Sequence, residues 1–268
     1  RGGAGGTVGA SVAAKAAPDG YTWFIGASHH TIAPSMYKTL DYDIQKSFIP
    51  VALLASVPQV LVVNPGRVNA RNLKDFIALM KKNPGKYNFA SAGSGTVHHL
   101  AGELFKIQTG TFIVHIPYRG AGPAMSDLLA GQVDLEFDGL GTSAPQINSG
   151  KLFAIAVAAD KRNPAIPNVP TFAEAGLPDY KVSTWYAMFA PAGTPKPIID
   201  KLTAEVQKAL NNPKLKAIWA SNGAETPNLY GPAFGQLVAA DVKRWAEVVQ
   251  KSGVLDTEKV LEHRSESK

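Results

Sequence analysis

An α/β fold built as two lobes is what this sequence predicts, and three observations predict it. Strand-like and helix-like segments alternate almost throughout, the pattern of mainly parallel sheets with crossover helices. Two long apolar stretches, "ASVPQVLVVNPG" and "YKVSTWYAMFAPAG", bracket a middle portion that has its own alternation. Of the 268 residues, 45% are hydrophobic and 18% charged, enough to bury the core of one large domain or two ordinary lobes. Two crossings between two lobes is the layout of a hinge-and-cleft binding protein. The expected division is 1–60 with 186–268 as lobe 1 and 61–185 as lobe 2, with a ligand cleft between them.

Each element has a local reason. Val8 to Ala16 is small and helical in pattern, and Pro18-Asp19-Gly20 stops it. "YTWFIGA" reads as a buried strand, and "SHHTIAPSMY" as a loop turning into a short helix. "FIPVALLASVPQVLVVNPG" reads as two apolar strands broken near Ser56-Val57-Pro58. Leu73, Phe76, Ile77 and Met80 recur at helical spacing, with Asn72 as a cap and Pro84-Gly85 as a stop. "YNFAS" is the next strand, and the helix "HLAGELFKIQTG" ends at Gly110. "FIVHIPY" is a strand, "RGAG" a loop and "PAMSDLLAG" a helix with an early Pro and a terminal Gly. "VDLEFD" and "LFAIAVAA" are strands around the short helix "APQINSG"; "TFAEAG" reads as another short helix and "STWYAMFAP" as a strand. Thr194-Pro195 opens a long helix as cap and first residue, with Ile199, Leu202, Val206 and Leu210 as its stripe. A last helix starts near Pro232, carries Phe234, Val238, Trp245 and Val249 on one face, and stops at Gly253.

Composition excludes several functions. The formal charge is +6, but basic residues are scattered singly, with no dense run interleaved with aromatics, so no nucleic-acid partner is expected. The absence of cysteine excludes disulfides and thiolate metal sites and suits an oxidising compartment. No apolar run approaches the length that spans a bilayer. The chain opens without Met on "RGGAGGTVGA", a glycine-rich loop entering a helix, so further N-terminal sequence is expected.

The stretch "NFASAGSGTVHHLAGELF" is the richest in chemistry. As a Walker loop it lacks Lys followed by Ser or Thr, and as a dinucleotide fingerprint it has His98 where the third glycine belongs. As a nucleophile elbow around Ser94 it has Ala92 and Thr96 in place of glycines. A serine hydrolase using Ser94 with His98 or His99 is the enzyme alternative. Adjacent histidines on a helix point about 100° apart, so neither His98-His99 nor His29-His30 forms a metal pair by itself. No metal and no cofactor is called for. What survives is a strand–helix mouth that can grip an anion, through unpaired backbone N–H groups, the helix dipole and the hydroxyls of Ser91, Ser94 and Thr96. The plainer alternative is a turn with a Ser/Thr cap. "HIPYRGAGPAM" repeats the design, with Tyr118 and Arg119 before Gly120, and so does "FIGASHHTIAP" with Ser28, His29 and Thr31. Asp138 ends a strand and offers an acceptor to a ligand, or caps a turn. No acid/base pair stands at a fixed spacing, so no catalytic mechanism is expected.

Six ordered segments carry a resemblance: "APDGYTW", "VVNPG", "NPGKYNFASAGSGTVHHLAGELF", "IVHIPYRGAGPAMSDLLAGQVDLEFD", "NVPTFAEAGLP" and "APAGTPKPIIDKL". Together they resemble the Bug family, the periplasmic solute receptors of tripartite tricarboxylate transporters. The resemblance runs from Arg1 to about Val254. It implies a type II periplasmic binding-protein fold, two lobes closing on a ligand like a flytrap. It also implies docking onto membrane permease subunits and small carboxylates as ligands; a monomer is expected, and a competing reading is a non-transport, ligand-sensing partner of a membrane signalling protein. The ligand loops it implies are Ser28 to Thr31, Ser91 to Thr96 (including Ala92, Gly93 and Gly95), Tyr118 to Gly122, and Asp138. Two departures stand out. The first strand–loop–helix–strand unit of the N-terminal lobe is expected to be missing, which would expose a sheet edge, and His29-His30 stand where the family has small residues.

Overall fold

One strand organises the molecule. In the computed structural model, which describes residues 4–255, β2 (Phe48–Val63) runs unbroken for 16 residues. Up to Pro58 it pairs with β7 (Ser183–Pro191); from Gln59 onward it pairs with β5 (Leu135–Gly139) on one side and β6 (Phe153–Val157) on the other. The expected break at Ser56-Val57-Pro58 does not occur. The missing N–H of Pro58 falls between Ser56 and Gln59, whose own N–H groups reach the carbonyls of Glu225 and Val182, so the strand passes through without a gap.

β1 (Phe24–Ala27) flanks β7, while β3 (Asn88–Ser91) and β4 (Val114–Pro117) lie in order beyond β5. Among the described residues the β3–β4 and β3–β5 strand pairings are parallel, and the pairings of β1, β2 and β7 are antiparallel. The expectation of mainly parallel sheets is therefore corrected to a mixed arrangement, because the two crossing strands run against everything they touch. β1 is an edge strand, and Ile25 on it is exposed.

The helices are α1 (Thr7–Ala14), α2 (His29–Met36), α3 (Leu73–Lys82), α4 (Val97–Thr109), α5 (Ala121–Leu129), α6 (Leu140–Asn148), α7 (Lys196–Leu210), α8 (Pro213–Ser221) and α9 (Gly231–Ser252). Asn72 caps α3 as expected, accepting from the Asp75 N–H at 2.8 Å. Three readings change. "TFAEAG" is a turn, because Thr171 is drawn into a one-residue bridge with Val157. Thr194 does not cap α7; its hydroxyl donates to the Pro191 carbonyl. α8 was not anticipated: it buries no residue, so no apolar stripe marks it, although Asn212 and Pro213 form a regular start.

The packing explains why α9 is long. Phe234 near its start joins Phe24, Phe48 and Phe189 in the core around β1 and β7. Trp245, two-thirds along, joins Phe89, Phe105, Phe137 and Tyr180 in the core around β3 and β5. Asp241 between them accepts from Trp185 Nε1 at 2.7 Å. One amphipathic helix thus anchors in both cores, and each fully buried aromatic contributes on the order of 3–5 kcal/mol by the cost of its truncation.

Candidate functional site

β3 and β4 are parallel neighbours, so their carboxyl ends lie side by side, where α/β folds place ligands. The pairing continues past the strands: Tyr118 N–H reaches the Ser91 carbonyl and Gly120 N–H the Ala92 carbonyl, each at 3.0 Å. Gly93 has φ +135°, and a Cβ there would come within 3.2 Å of the Tyr118 carbonyl oxygen. The loop needs glycine at that position for both conformation and contact.

At the mouth of α4 the donors are largely spent. Gly93 N–H goes to Ser91 Oγ, Gly95 N–H to His99 Nδ1, and His99 N–H to Thr96 Oγ1. Thr96 also donates to the Gly93 carbonyl at 2.7 Å. Ser91 is fully buried, its hydroxyl 2.6 Å from His115 Nε2, and His115 stacks on His99 with centroids 3.7 Å apart. Burial, with His99 and Lys106 nearby, pushes the His115 pKa down to about 2. The remaining side chain of this loop, Ser94, is half-buried.

The mouth of α5 is different. Arg119 is exposed and has no carboxylate partner among the described residues. Gly120 precedes the helix with no side-chain cap, and space is open where a Cβ would stand on Gly120 and Gly122. Tyr118 is turned aside, donating to Asp127 at 2.6 Å; burial, then this bond, pushes its pKa up to about 12.

Facing the mouth of α4 is the start of α2. Ser28 is locked to β7, through its N–H to the Trp185 carbonyl and its Oγ accepting from Trp185 N–H. Thr31 is buried and donates to the Ser28 carbonyl. His29 crosses the gap: its Nδ1 accepts from Val97 N–H at 3.0 Å, so its proton sits on Nε2. Burial, then His98 and His30, lower the His29 pKa to about 3. A Cβ on Gly5 would lie 3.2 Å from the Ser94 carbonyl, so the two sides touch here as well.

Asp138 does not stand alone. β5 alternates, so Glu136 and Asp138 share one face, and both are fully buried against His98 from the first turn of α4. His98 Nδ1 lies 3.5 Å from Glu136 Oε1 and 3.8 Å from Asp138 Oδ1. Asp138 Oδ2 accepts from Ser143 Oγ. Burial, then Asp138, raises the Glu136 pKa to about 7, and burial raises that of Asp138. Burial pulls His98 down, but the facing carboxylates outweigh it and lift it. Sequence reading missed Glu136, although the alternation of "VDLEFD" is a signal that could have found it. The hydrolase alternative gains nothing: His98 faces the two acids, and His99 Nδ1 is taken by Gly95 while its Nε2 lies 3.7 Å from Glu103.

A mixed α/β molecule whose two crossing strands join two cores, with strand–helix mouths gathered at the ends of its parallel strands, defines the class: a two-lobe periplasmic binding protein. A model of the tripartite tricarboxylate transporter family receptor matches residues 1–254. The BugT protein of Bordetella pertussis is 37% identical over 256 residues, 94% of this chain and 78% of that protein. A Rhodopseudomonas palustris protein solved with adipate has TM-score 0.90 and 33% identity over 94% of this chain and 85% of its own. MatC of the same organism, solved with bound malate, has TM-score 0.86 and 36% identity over 92% and 85%. The chain belongs to the Bug family of solute receptors for tripartite tricarboxylate transporters. Among the described residues no helix is long and apolar enough to cross a membrane.

Proposed function

We propose that this receptor captures a small carboxylate, of the dicarboxylate, tricarboxylate, aromatic-acid or acidic amino-acid kind, in the periplasm. It hands the ligand, without catalysis and as a monomer, to membrane permease subunits. One observation carries the ligand chemistry: exposed Arg119 beside an uncapped, glycine-opened helix start. A guanidinium forks onto a carboxylate, and the helix dipole adds to its attraction. Ser94 lies on the adjoining loop, and His29 offers a neutral donor from the facing side. The relatives solved with adipate and malate support an acid of this size.

The moving bodies are 1–60 with 186–268, and 61–185, except that the end of α9 from Trp245 onward is seated in the core of the second and moves with it. The change of partner along β2 at Gln59 supports this division. So does the bond from Gln59 Nε2 to Thr184 Oγ1, which joins the two crossings where closure would flex them. Closure follows from tighter binding of the acid by the closed form. The test is titration calorimetry and thermal melting with a panel of mono-, di- and tricarboxylates and matched amides. Binding of at least one acid, with a higher Tm and no response to its amide, is the expected result. Silence across the panel refutes the carboxylate reading, and steady turnover of an added ester refutes the absence of catalysis.

A further inference from the structure

Four buried polar atoms converge at one point without a hydrogen-bond partner: His98 Nδ1, Glu136 Oε1 and Oε2, and Asp138 Oδ1. Glu136 and Asp138 are fully buried and His98 is 4% exposed, so water does not reach them freely. Two carboxylates left unpaired at such a place are costly, and the nearest contact between them and the imidazole, 3.5 Å, is too long for a well-formed hydrogen bond. A single shared proton would satisfy one pair of these atoms and leave the rest.

The geometry points to a binding site for one divalent first-row transition-metal ion, zinc first among them, held by His98, Glu136 and Asp138. The ligand atoms all lie within 4.8 Å of one another, and two of the separations are 3.5 and 3.8 Å. Donors at 2.0–2.2 Å from a tetrahedral ion stand roughly 3.4 Å apart, so only a small contraction is needed. Bound through His98 Nδ1, Asp138 Oδ1 and one Glu136 oxygen, the ion takes up three of the four orphaned atoms, with the second Glu136 oxygen as a longer contact. Two carboxylates neutralise its two positive charges, and a mixed imidazole and carboxylate set suits zinc and its neighbours better than magnesium or calcium. Asp138 Oδ2 keeps its bond from Ser143, an outer-shell support that orients the carboxylate. His29 stays outside the set: its Nδ1 is held by Val97 N–H, and its ring meets His98 edge-on with centroids 6.2 Å apart. The site is buried and closed, so its role is to tie β5 to the first turn of α4. It does not depend on the carboxylate reading, because it can be filled with no acid present.

The experiment uses the full chain, stripped with chelator, with any affinity tag removed, and titrated with Zn²⁺ alone, then with Co²⁺ and Mg²⁺. The expected result is one tight Zn²⁺ per chain, a rise of several degrees in Tm, and weak Mg²⁺ binding. Co²⁺ gives the intense visible absorption of a low-coordinate site on the unaltered protein, a readout that needs no variant. Glu136→Gln and Asp138→Asn each lose more than about 100-fold in Zn²⁺ affinity, beyond the range for an outer-shell partner. Absence of stoichiometric binding overturns the proposal. So does Zn²⁺ binding unchanged in both variants, which would place the ion on the surface. A Glu136→Gln protein that melts higher than the metal-free parent, when that parent binds no metal, overturns it in favour of a shared proton.

Discussion

Two neighbouring strand–helix mouths share the same small-residue vocabulary and differ in what they leave free. The Ser91–Thr96 loop spends the hydroxyls of Ser91 and Thr96 and most of its N–H groups on itself, on His99 and on His115. The Tyr118–Gly122 loop leaves Arg119 and the start of α5 open. The first is a frame, and the second is the grip we propose. Glycine, serine and threonine at a helix start mark an anion site only where their donors have no better partner inside the protein.

The largest effect should come from disturbing the frame. α4 lies flush on β3 because residue 102 is glycine; a Cβ there would stand 2.3 Å from the Phe89 ring. Gly102→Ala is expected to cost about 3 kcal/mol or more through overpacking, with loss of ligand binding as the loop shifts. Chemical denaturation checks it. A cost below about 0.5 kcal/mol would mean that α4 is free to slide and that the frame is soft.

Disturbing the grip should leave stability alone. Arg119→Ala is expected to weaken carboxylate binding roughly 10- to 100-fold, the value of one charge-assisted hydrogen bond, with Tm within a degree of the parent. Arg119→Lys should recover part of the loss. Calorimetry with a panel acid decides it, and an affinity unmoved by Arg119→Ala would shift the grip to another loop.

Acid should act on the frame through His115. Its folded pKa, about 2, lies far below the ordinary 6.5, so between these values the unfolded chain binds a proton that the folded chain refuses. Stability is therefore full above pH 6.5 and falls as pH drops through the window, by at most about 1.4 kcal/mol per unit from this group. The groups facing it are His99, stacked on its ring, Lys106, and the Ser91 hydroxyl. A His115→Gln protein should show a flatter fall of Tm between pH 6.5 and 4.5. An identical slope would assign the acid sensitivity to other histidines.

Much of the frame was legible in sequence, because alternation of strand and helix and the caps at Asn72 and Gly110 are local signals. β2 was misread because proline ordinarily interrupts a ladder, and only its neighbours' bonds to Glu225 and Val182 show why Pro58 does not. α8 was invisible because a helix that buries nothing has no stripe. In the site, Gly120 and Arg119 could be found as residue types, but the idleness of Arg119 could not. The link between His29 and Val97 joins residues 68 apart, and the meeting of His98 with β5 depends on how α4 lies over the sheet. Such pairings come from packing, which no short window of sequence contains.

The smallest expected effect separates the two mouths most finely. Thr96 is buried, receives the His99 N–H and donates to the Gly93 carbonyl, so its hydroxyl faces the protein from both ends. Thr96→Ala should cost about 1 kcal/mol of stability as a lost cap, while carboxylate affinity changes less than about twofold. Ser94→Ala, on the half-buried side chain of the same loop, should leave stability unchanged. A tenfold loss of affinity in Thr96→Ala at intact stability would mean that this hydroxyl turns to the ligand on closure. The frame would then also be part of the grip.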